Sequence, residues 1–375
     1  MASELFIGLM SGTSLDGVDG VLADFSGGRI AVLAHATAHF PVTLRAELLA
    51  LNTPHGDNEL HRAALAGNGI ARLYADVTQQ LLADTRLAAK AVRAIGAHGQ
   101  TVRHRPGEFD DVGYTLQINS PAALAEWAGI DVVADFRSRD LAAGGQGAPL
   151  VPGFHRALFG QTDRAIAVLN IGGIANLSLL PASGDADPVV LGFDCGPGNG
   201  LMDHWCQSHV GEPFDHGGEW AASGRVLPEL LARLLAGPWF TKPPPKSTGR
   251  DLFNPAWLAS HLGAAGDAAP ADIQATLAEL TARACAEDVK RYGINSKELI
   301  VCGGGALNTH LMARLQALLP ELAVVSSAER GLPPQQVEAA AFAWLARATV
   351  RREHGNLASV TGAQGGRVLG AIYPA

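Results

Sequence analysis

Short apolar runs, each cut off by glycine or hydroxyl residues, organise the first part of this chain. Residues 5–10 form one run and break at Ser11-Gly12-Thr13-Ser14. Residues 18–25 form a second, ending at Gly27-Gly28, and 30–35 a third. Runs of this length separated by turn formers predict a three-stranded meander. After Pro41 the apolar positions move to helical spacing, with Leu44, Leu48 and Leu49, then Leu60, Ala64 and Leu65. A longer helix is predicted over 70–87, where Leu73, Val77, Leu81 and Leu82 recur at helical intervals. It feeds a strand at 91–97 that ends in His98-Gly99-Gln100-Thr101.

The same order returns downstream. Strands are predicted at 165–170 and 174–180 around the turn Ile171-Gly172-Gly173. Another at 189–193 ends in Asp194-Cys195-Gly196-Pro197-Gly198. A long helix at 270–292 precedes a strand at 298–302, which ends in Gly303-Gly304-Gly305-Ala306-Leu307-Asn308. Hairpin, strand, helix, strand and glycine loop thus occur twice, which predicts a duplicated α/β chain of two similar lobes. The first lobe is placed at 1–150 plus about 340–375, and the second at 151–339. Glycine turns in both lobes would line a cleft with backbone amides on either wall.

Composition narrows the chemistry. The 375 residues carry 28 Lys+Arg against 36 Asp+Glu, a formal net charge of −8. That balance excludes a general nucleic-acid binder, which needs a basic face. The 44 glycines are about 12 % of the chain, against a usual level near 7 %. Many of them, Gly8, Gly17, Gly20 and Gly96 included, fall in stretches expected to approach a ligand. No Gly-Lys dipeptide occurs, so there is no Walker A loop, and GxGxxG is missing as well. Any bound phosphate must rest on glycine turns. Cys195, Cys206, Cys285 and Cys302 form no CxxC pair and are expected to be buried thiols. An acidic residue, Glu4, stands where a signal peptide needs positive charge, and no apolar stretch is long enough to span a membrane. A cytoplasmic protein without membrane or nucleic-acid partners is expected, and a homodimer is the assembly considered.

Four constellations can carry chemistry. In Gly12-Thr13-Ser14-Leu15-Asp16-Gly17-Val18-Asp19 a turn offers N–H and O–H donors, and Asp16 or Asp19 could hold a hydrated Mg²⁺. Asn170, Gly172 and Gly173 form a second glycine hairpin. Asp194 lies at the mouth of an apolar strand, where α/β proteins place catalytic groups, and could serve as general base. Gly303, Gly304 and Gly305 would let a flat ligand lie against bare backbone. Ordinary tight turns or a helix cap explain each of these equally well when taken alone. Polar islands add His98 and Gln100, the stretch Asp135 to Asp140, the glycine-rich 144–149, and 245–251. A carboxylate-bearing sugar needs a fixed arginine, for which Arg137 or Arg139 is available. Glu338 opens an alanine-rich helix and either complements its dipole or faces the cleft.

Taken together, Gly8-Leu9-Met10-Ser11-Gly12-Thr13-Ser14-Leu15-Asp16-Gly17-Val18-Asp19 resembles the signature of the anhydro-N-acetylmuramic acid kinases. So do His98 to Thr101, 144–149, 170–176, 193–199 and Val337-Glu338-Ala339-Ala340-Ala341-Phe342, in the family's order and over nearly the whole chain. The resemblance implies the two-lobed actin-like ATPase and sugar-kinase fold with ATP and Mg²⁺ in the interdomain cleft. It also implies conversion of 1,6-anhydro-N-acetylmuramic acid, ATP and water to N-acetylmuramic acid 6-phosphate and ADP, in peptidoglycan recycling. On this resemblance 12–19 is the ATP-binding stretch, Asp194 the catalytic aspartate, and Arg137 and Glu338 face the substrate. The wider superfamily opens its first phosphate loop with Asp, and here Met10 stands there. That leaves Asp16, Asp19 or Asp194 to organise Mg²⁺. Rival expectations are a kinase acting on an ordinary hexose hydroxyl, an ATP-driven binding clamp, and a catalytically silent relative.

Overall fold

Two sheets with the same strand order form the framework. The structure is a computed structural model and describes residues 4–12, 15–27, 30–186, 188–249, 252–263 and 267–375. In chain order the strands are β1 (Leu5–Met10), β2 (Gly17–Asp24), β3 (Ala31–His39), β4 (Val92–Ala97), β5 (Gln100–Pro106), β6 (Gly113–Ile118) and β7 (Val132–Ala134). Then follow β8 (Ala165–Ile171), β9 (Ile174–Leu180), β10 (Leu191–Pro197), β11 (Ser296–Cys302), β12 (Ala323–Ser326) and β13 (Ala371–Tyr373). One sheet runs β13-β7-β4-β1-β2-β3 and another β10-β9-β8-β11-β12, while β5 and β6 pair as a separate ribbon. In each large sheet an antiparallel meander (β1-β2-β3, β8-β9-β10) lays its first strand beside two parallel strands (β4 and β7, β11 and β12). The fold class is α/β, and the repeated order is the duplication the sequence pattern predicts.

The chain divides into two compact units, Met1–Leu158 with Gln336–Ala375, and Phe159–Gln335. Glu338, counted with the second lobe in the sequence, therefore belongs to the first unit. Among the described residues no helix is long and apolar enough to cross a membrane.

In the first unit β1 is buried on both faces, which is why it reads as an unbroken apolar run. Leu5, Ile7 and Leu9 face the helix Glu59–Thr85, packing with Ile70, Tyr74, Val77 and Leu81. Phe6 faces the other side with Ala94, Phe342 and Ala346, against the helix Val337–Val350. Four glycines expected to approach a ligand are instead used here. A Cβ on Gly8 would lie 1.9 Å from Ala339 O, and one on Gly96 would lie 2.1 Å from Phe342 O. Gly20 makes room for Val77 Cγ1 at 2.4 Å, and Gly17 for Ala38 O at 2.2 Å. These four positions serve packing of helix and strand on strand. The helix predicted at 70–87 is also longer, running from Glu59 to Thr85 straight through Gly67 and Gly69. In the second unit the helix Pro270–Tyr292 anchors the core, with Ile273, Leu277, Leu280 and Cys285 buried against Leu169, Phe193 and Val301.

Candidate active site

In the first unit the β1–β2 connection meets the loop after β4. Ser11, Tyr74 and Gly99 close a small ring of hydrogen bonds. Gly99 N–H donates to Tyr74 Oη at 3.0 Å, and Ser11 Oγ donates to Gly99 O at 3.0 Å. Since the Ser11 proton is used there, the 3.3 Å contact between Tyr74 Oη and Ser11 Oγ has the tyrosine as donor. Every partner is buried, and burial pushes the Tyr74 phenol up to about 12. Gln100 Nε2 adds a bond to Gly12 O at 3.1 Å, and Leu15 N–H closes a turn onto the same oxygen at 3.2 Å. Tyr74→Phe is expected to leave the Gly99 N–H without its acceptor and to lower stability by about 1–3 kcal/mol, measured by urea denaturation.

His98, Arg137 and Gly147 form the next contact set. His98 Nδ1 faces Ser11 O at 3.2 Å, so it carries the proton, and Nε2 accepts from Arg137 Nη2 at 2.9 Å. Burial, and then the Arg137 charge, push this imidazole down to about 3, so it stays neutral and orients the guanidinium. Arg137 Nη1 donates to Gly147 O at 2.8 Å. Burial lowers the guanidinium to about 10, while the charges of Glu338 and Asp140 favour its cationic form. Asp140 is fully buried and accepts from Gly147 N–H at 2.7 Å, Asn356 Nδ2 at 2.6 Å and Thr361 Oγ1 at 2.8 Å. It holds the 144–149 loop in place for Arg137.

The structure separates the members of the 12–19 stretch. Leu15 and Val18 point into the core, Gly17 is packed against β3, and Asp16 is exposed. Asp19 lies 3.6 Å from His35 Nε2. Thr13 and Ser14 lie outside the described residues. What this stretch can offer a ligand is mainly the backbone around Ser11 and Gly12.

In the second unit three glycine loops meet. Gly198 N–H and Gly200 N–H donate to Gly173 O, and Asn199 N–H donates to Gly172 O at 2.8 Å. Asn199 Nδ2 holds Ile171 O at 3.1 Å. The glycines differ in purpose. Gly303 has a φ of +76° and no room beside Asn170 Oδ1, and a Cβ on Gly305 would lie 2.5 Å from Ile171 Cβ. Gly173 has nothing within 4 Å of where its Cβ would stand and lies outside the left-handed region. Neither packing nor backbone conformation demands glycine at Gly173, and the space beside it is open.

Asp194 sits on β10, an edge strand, where the pairing with β9 slips between Asp194 and Gly196. Such a bulge re-aims the side chain beside it. A strap from the 245–249 stretch covers the edge, with Asp194 N–H donating to Lys246 O at 3.0 Å and Thr248 N–H donating to Asp194 Oδ2 at 2.8 Å. Burial pushes the carboxyl up to about 7, opposed by the Thr248 bond and the Lys246 charge. Lys246 is itself buried, 2.9 Å from Asp288 Oδ2, with its ammonium 4.7 Å from the Trp239 ring centroid. A carboxyl poised near neutrality and held by the Thr248 N–H is suited to take a proton from water or a hydroxyl.

The family profile for anhydro-N-acetylmuramic acid kinase matches residues 4–375. The chain belongs to the anhydro-N-acetylmuramic acid kinase family. Its activity is the ATP-dependent phosphorylation of anhydro-N-acetylmuramic acid, in peptidoglycan recycling. A protein of that name from Variovorax paradoxus (strain S110) is 75 % identical over 376 residues, covering 100 % of both chains. One from Albidiferax ferrireducens is 63 % identical over 389 residues, again covering 100 % of both, and one from Bordetella pertussis is 56 % identical over 375, covering 99 % and 96 %.

Several residues that organise this kinase escape sequence reasoning. Tyr74 hides in a helix pattern as one more core residue. Asp140 and Lys246 stood within polar islands, but their partners lie far away in the chain, at Asn356, Thr361 and Asp288. The four cysteines are buried and unbridged. Among the described residues no group of three or more His, Cys, Asp or Glu could hold a metal. Mg²⁺ commonly takes one or two carboxylates together with substrate phosphates and water.

Proposed function

We propose that this kinase opens the 1,6-anhydro ring with water and phosphorylates the oxygen so released, giving N-acetylmuramic acid 6-phosphate and ADP. The observation that carries the reading is Asp194, a carboxyl raised to about 7 at a bulged strand edge and held by the Thr248 N–H. Asp194 takes a proton from water as the water attacks the anomeric carbon from the face opposite the anhydro oxygen. The bond from that carbon to O6 breaks, and O6 attacks the γ-phosphoryl of ATP in line.

Arg137, already fixed by His98 and Gly147, is assigned the lactyl carboxylate of the sugar. Gln100 Oε1, buried and without a partner among the described residues, is assigned a sugar hydroxyl, and Glu338 another. Backbone around Gly12, Gly172 and Gly173, with Asn170 and the loop Gly303 to Gly305, is assigned to the nucleotide. MgATP enters as co-substrate, and its metal supplies charge neutralisation at the phosphates.

Labelled water tests the chemistry. Turnover of 1,6-anhydro-N-acetylmuramic acid in oxygen-18 water should place one solvent oxygen at C1 of the product, read by mass spectrometry. Product without the label would instead favour direct phosphorylation of a free hydroxyl. Gly173→Ala tests the nucleotide assignment. The methyl has room in the fold, so stability should hold while the KM for ATP rises by about tenfold, a loss of roughly 1.4 kcal/mol. An unchanged KM for ATP would remove this hairpin from the phosphate site.

A further inference from the structure

Three arginines in the first unit surround a cavity that the kinase chemistry leaves unused. Its volume is about 550 Å³, and Arg139, Arg352 and Arg367 stand on its walls with Thr349, Val368 and Ile372. The cavity lies at the far end of the helix Val337–Val350 from Glu338, about 18 Å along the axis at 1.5 Å per residue. Arg139 was one of two arginines that could have met a sugar carboxylate. The structure sends Arg137 to His98 and places Arg139 on this other wall.

The three cations are unlike their neighbours. Arg347 and Arg351 leave the same helix end and each reaches a carboxylate, Glu4 or Glu353. None of Arg139, Arg352 and Arg367 forms an ion pair among the described residues. Arg139 and Arg352 are exposed, and Arg367 is half-buried, its Nη1 donating to Gly366 O at 2.9 Å. In a chain with eight more acids than bases, three arginines without a carboxylate partner thus line one cavity. Arg352 also holds a φ of +60° just past the helix end, a position that favours glycine. The Arg367 backbone is anchored, its N–H donating to Asn356 Oδ1 at 2.6 Å and its carbonyl accepting from Gly355 N–H at 2.9 Å. Of the three arginines, Arg367 therefore has its backbone fixed on both sides.

We propose that this cavity binds a small organic phosphate at a site separate from the sugar and nucleotide sites. Guanidinium forks match phosphate oxygens in geometry and charge. Val368 and Ile372 offer an apolar side for the carbon skeleton, and the volume suits a single sugar phosphate.

Isothermal titration of the full chain with glucose 6-phosphate, and with glucose as control, tests the site. The phosphate ester should bind with a Kd below about 1 mM and glucose should not. Arg352→Gly combined with Arg367→Ala should weaken binding by about tenfold or more, while kcat and both KM values stay as in the wild type. Arg352→Gly alone relieves the left-handed backbone, so it supplies a folded variant if the pair proves unstable. No binding of glucose 6-phosphate at about 10 mM would overturn the proposal. So would equal affinity in wild type and variant, because the ligand would then sit elsewhere.

Discussion

Asp194→Asn is expected to lower kcat by roughly a thousandfold, within the range general bases contribute. The amide keeps the shape of the side chain and its oxygen can still accept from Thr248 N–H. ATP and sugar affinities should therefore stay close to wild type, and turnover near the wild-type rate would remove Asp194 from the mechanism. The pH dependence has a definite sign. The carboxyl is raised from 3.8 to about 7 in the fold, so the base form and kcat/KM increase as pH rises through neutrality. Stability runs the other way. Between 3.8 and about 7 the folded chain keeps a proton that the unfolded chain releases, so this group stabilises the fold at low pH and that contribution fades as pH climbs through the window. Denaturation of wild type and Asp194→Asn at pH values on either side of that window separates this contribution from others. A difference between the two proteins that does not change with pH would contradict it.

Lys246→Met should have the largest effect on stability. It strips Asp288 of its partner inside the protein, where both side chains are nearly inaccessible, at 2 % and 4 % exposure. Breaking a buried pair by removing one member costs about 3–5 kcal/mol. The double variant Lys246→Met with Asp288→Leu should regain most of that loss, because an apolar pair of similar volume carries no uncompensated charge. Turnover should recover with it at alkaline pH, its pH profile moved upward because the Lys246 charge no longer opposes the raised Asp194 carboxyl. The contacts that hold Asp194 come from the backbone of Lys246 and Thr248, so they return once the strap is seated again. A double variant no more stable than Lys246→Met would show that the ion pair is not what seats the strap.

Local pattern and distant pairing were unequally legible. The helix Pro270–Tyr292 was readable end to end, because Pro270 at its start and an unbroken apolar stripe leave little choice. The strand ending at Asp194 was read four residues short of its actual end, Pro197, since Gly196-Pro197-Gly198 looks like a turn. The bulge lets the strand continue through those residues. The helix Glu59–Thr85 was read only from residue 70 on, yet it runs through Gly67, where a Cβ would lie 3.0 Å from Asn119 O. Asp194 could be singled out because a carboxylate before a glycine turn is a local feature. Lys246 and Asp288 could not be paired, since no spacing rule joins residues brought together only by tertiary folding. The glycine surplus was read as ligand-facing, whereas Gly8 and Gly96 open two strands to a helix.

Those two bare strands set how Glu338 can be placed. With no side chain between them, the helix Val337–Val350 rests backbone to backbone on β1 and β4, and Ala339 and Ala343 carry nothing that could rotate aside. Contact of this kind has no adjustable part. Glu338 is therefore indexed to the sheet by excluded volume, much as a gauge block sets a height. Random replacement of Ala339 and Ala343 would show the tolerance: each added carbon would move the carboxylate at the helix start by a similar increment, and activity would fall in steps with residue volume before the fold is lost.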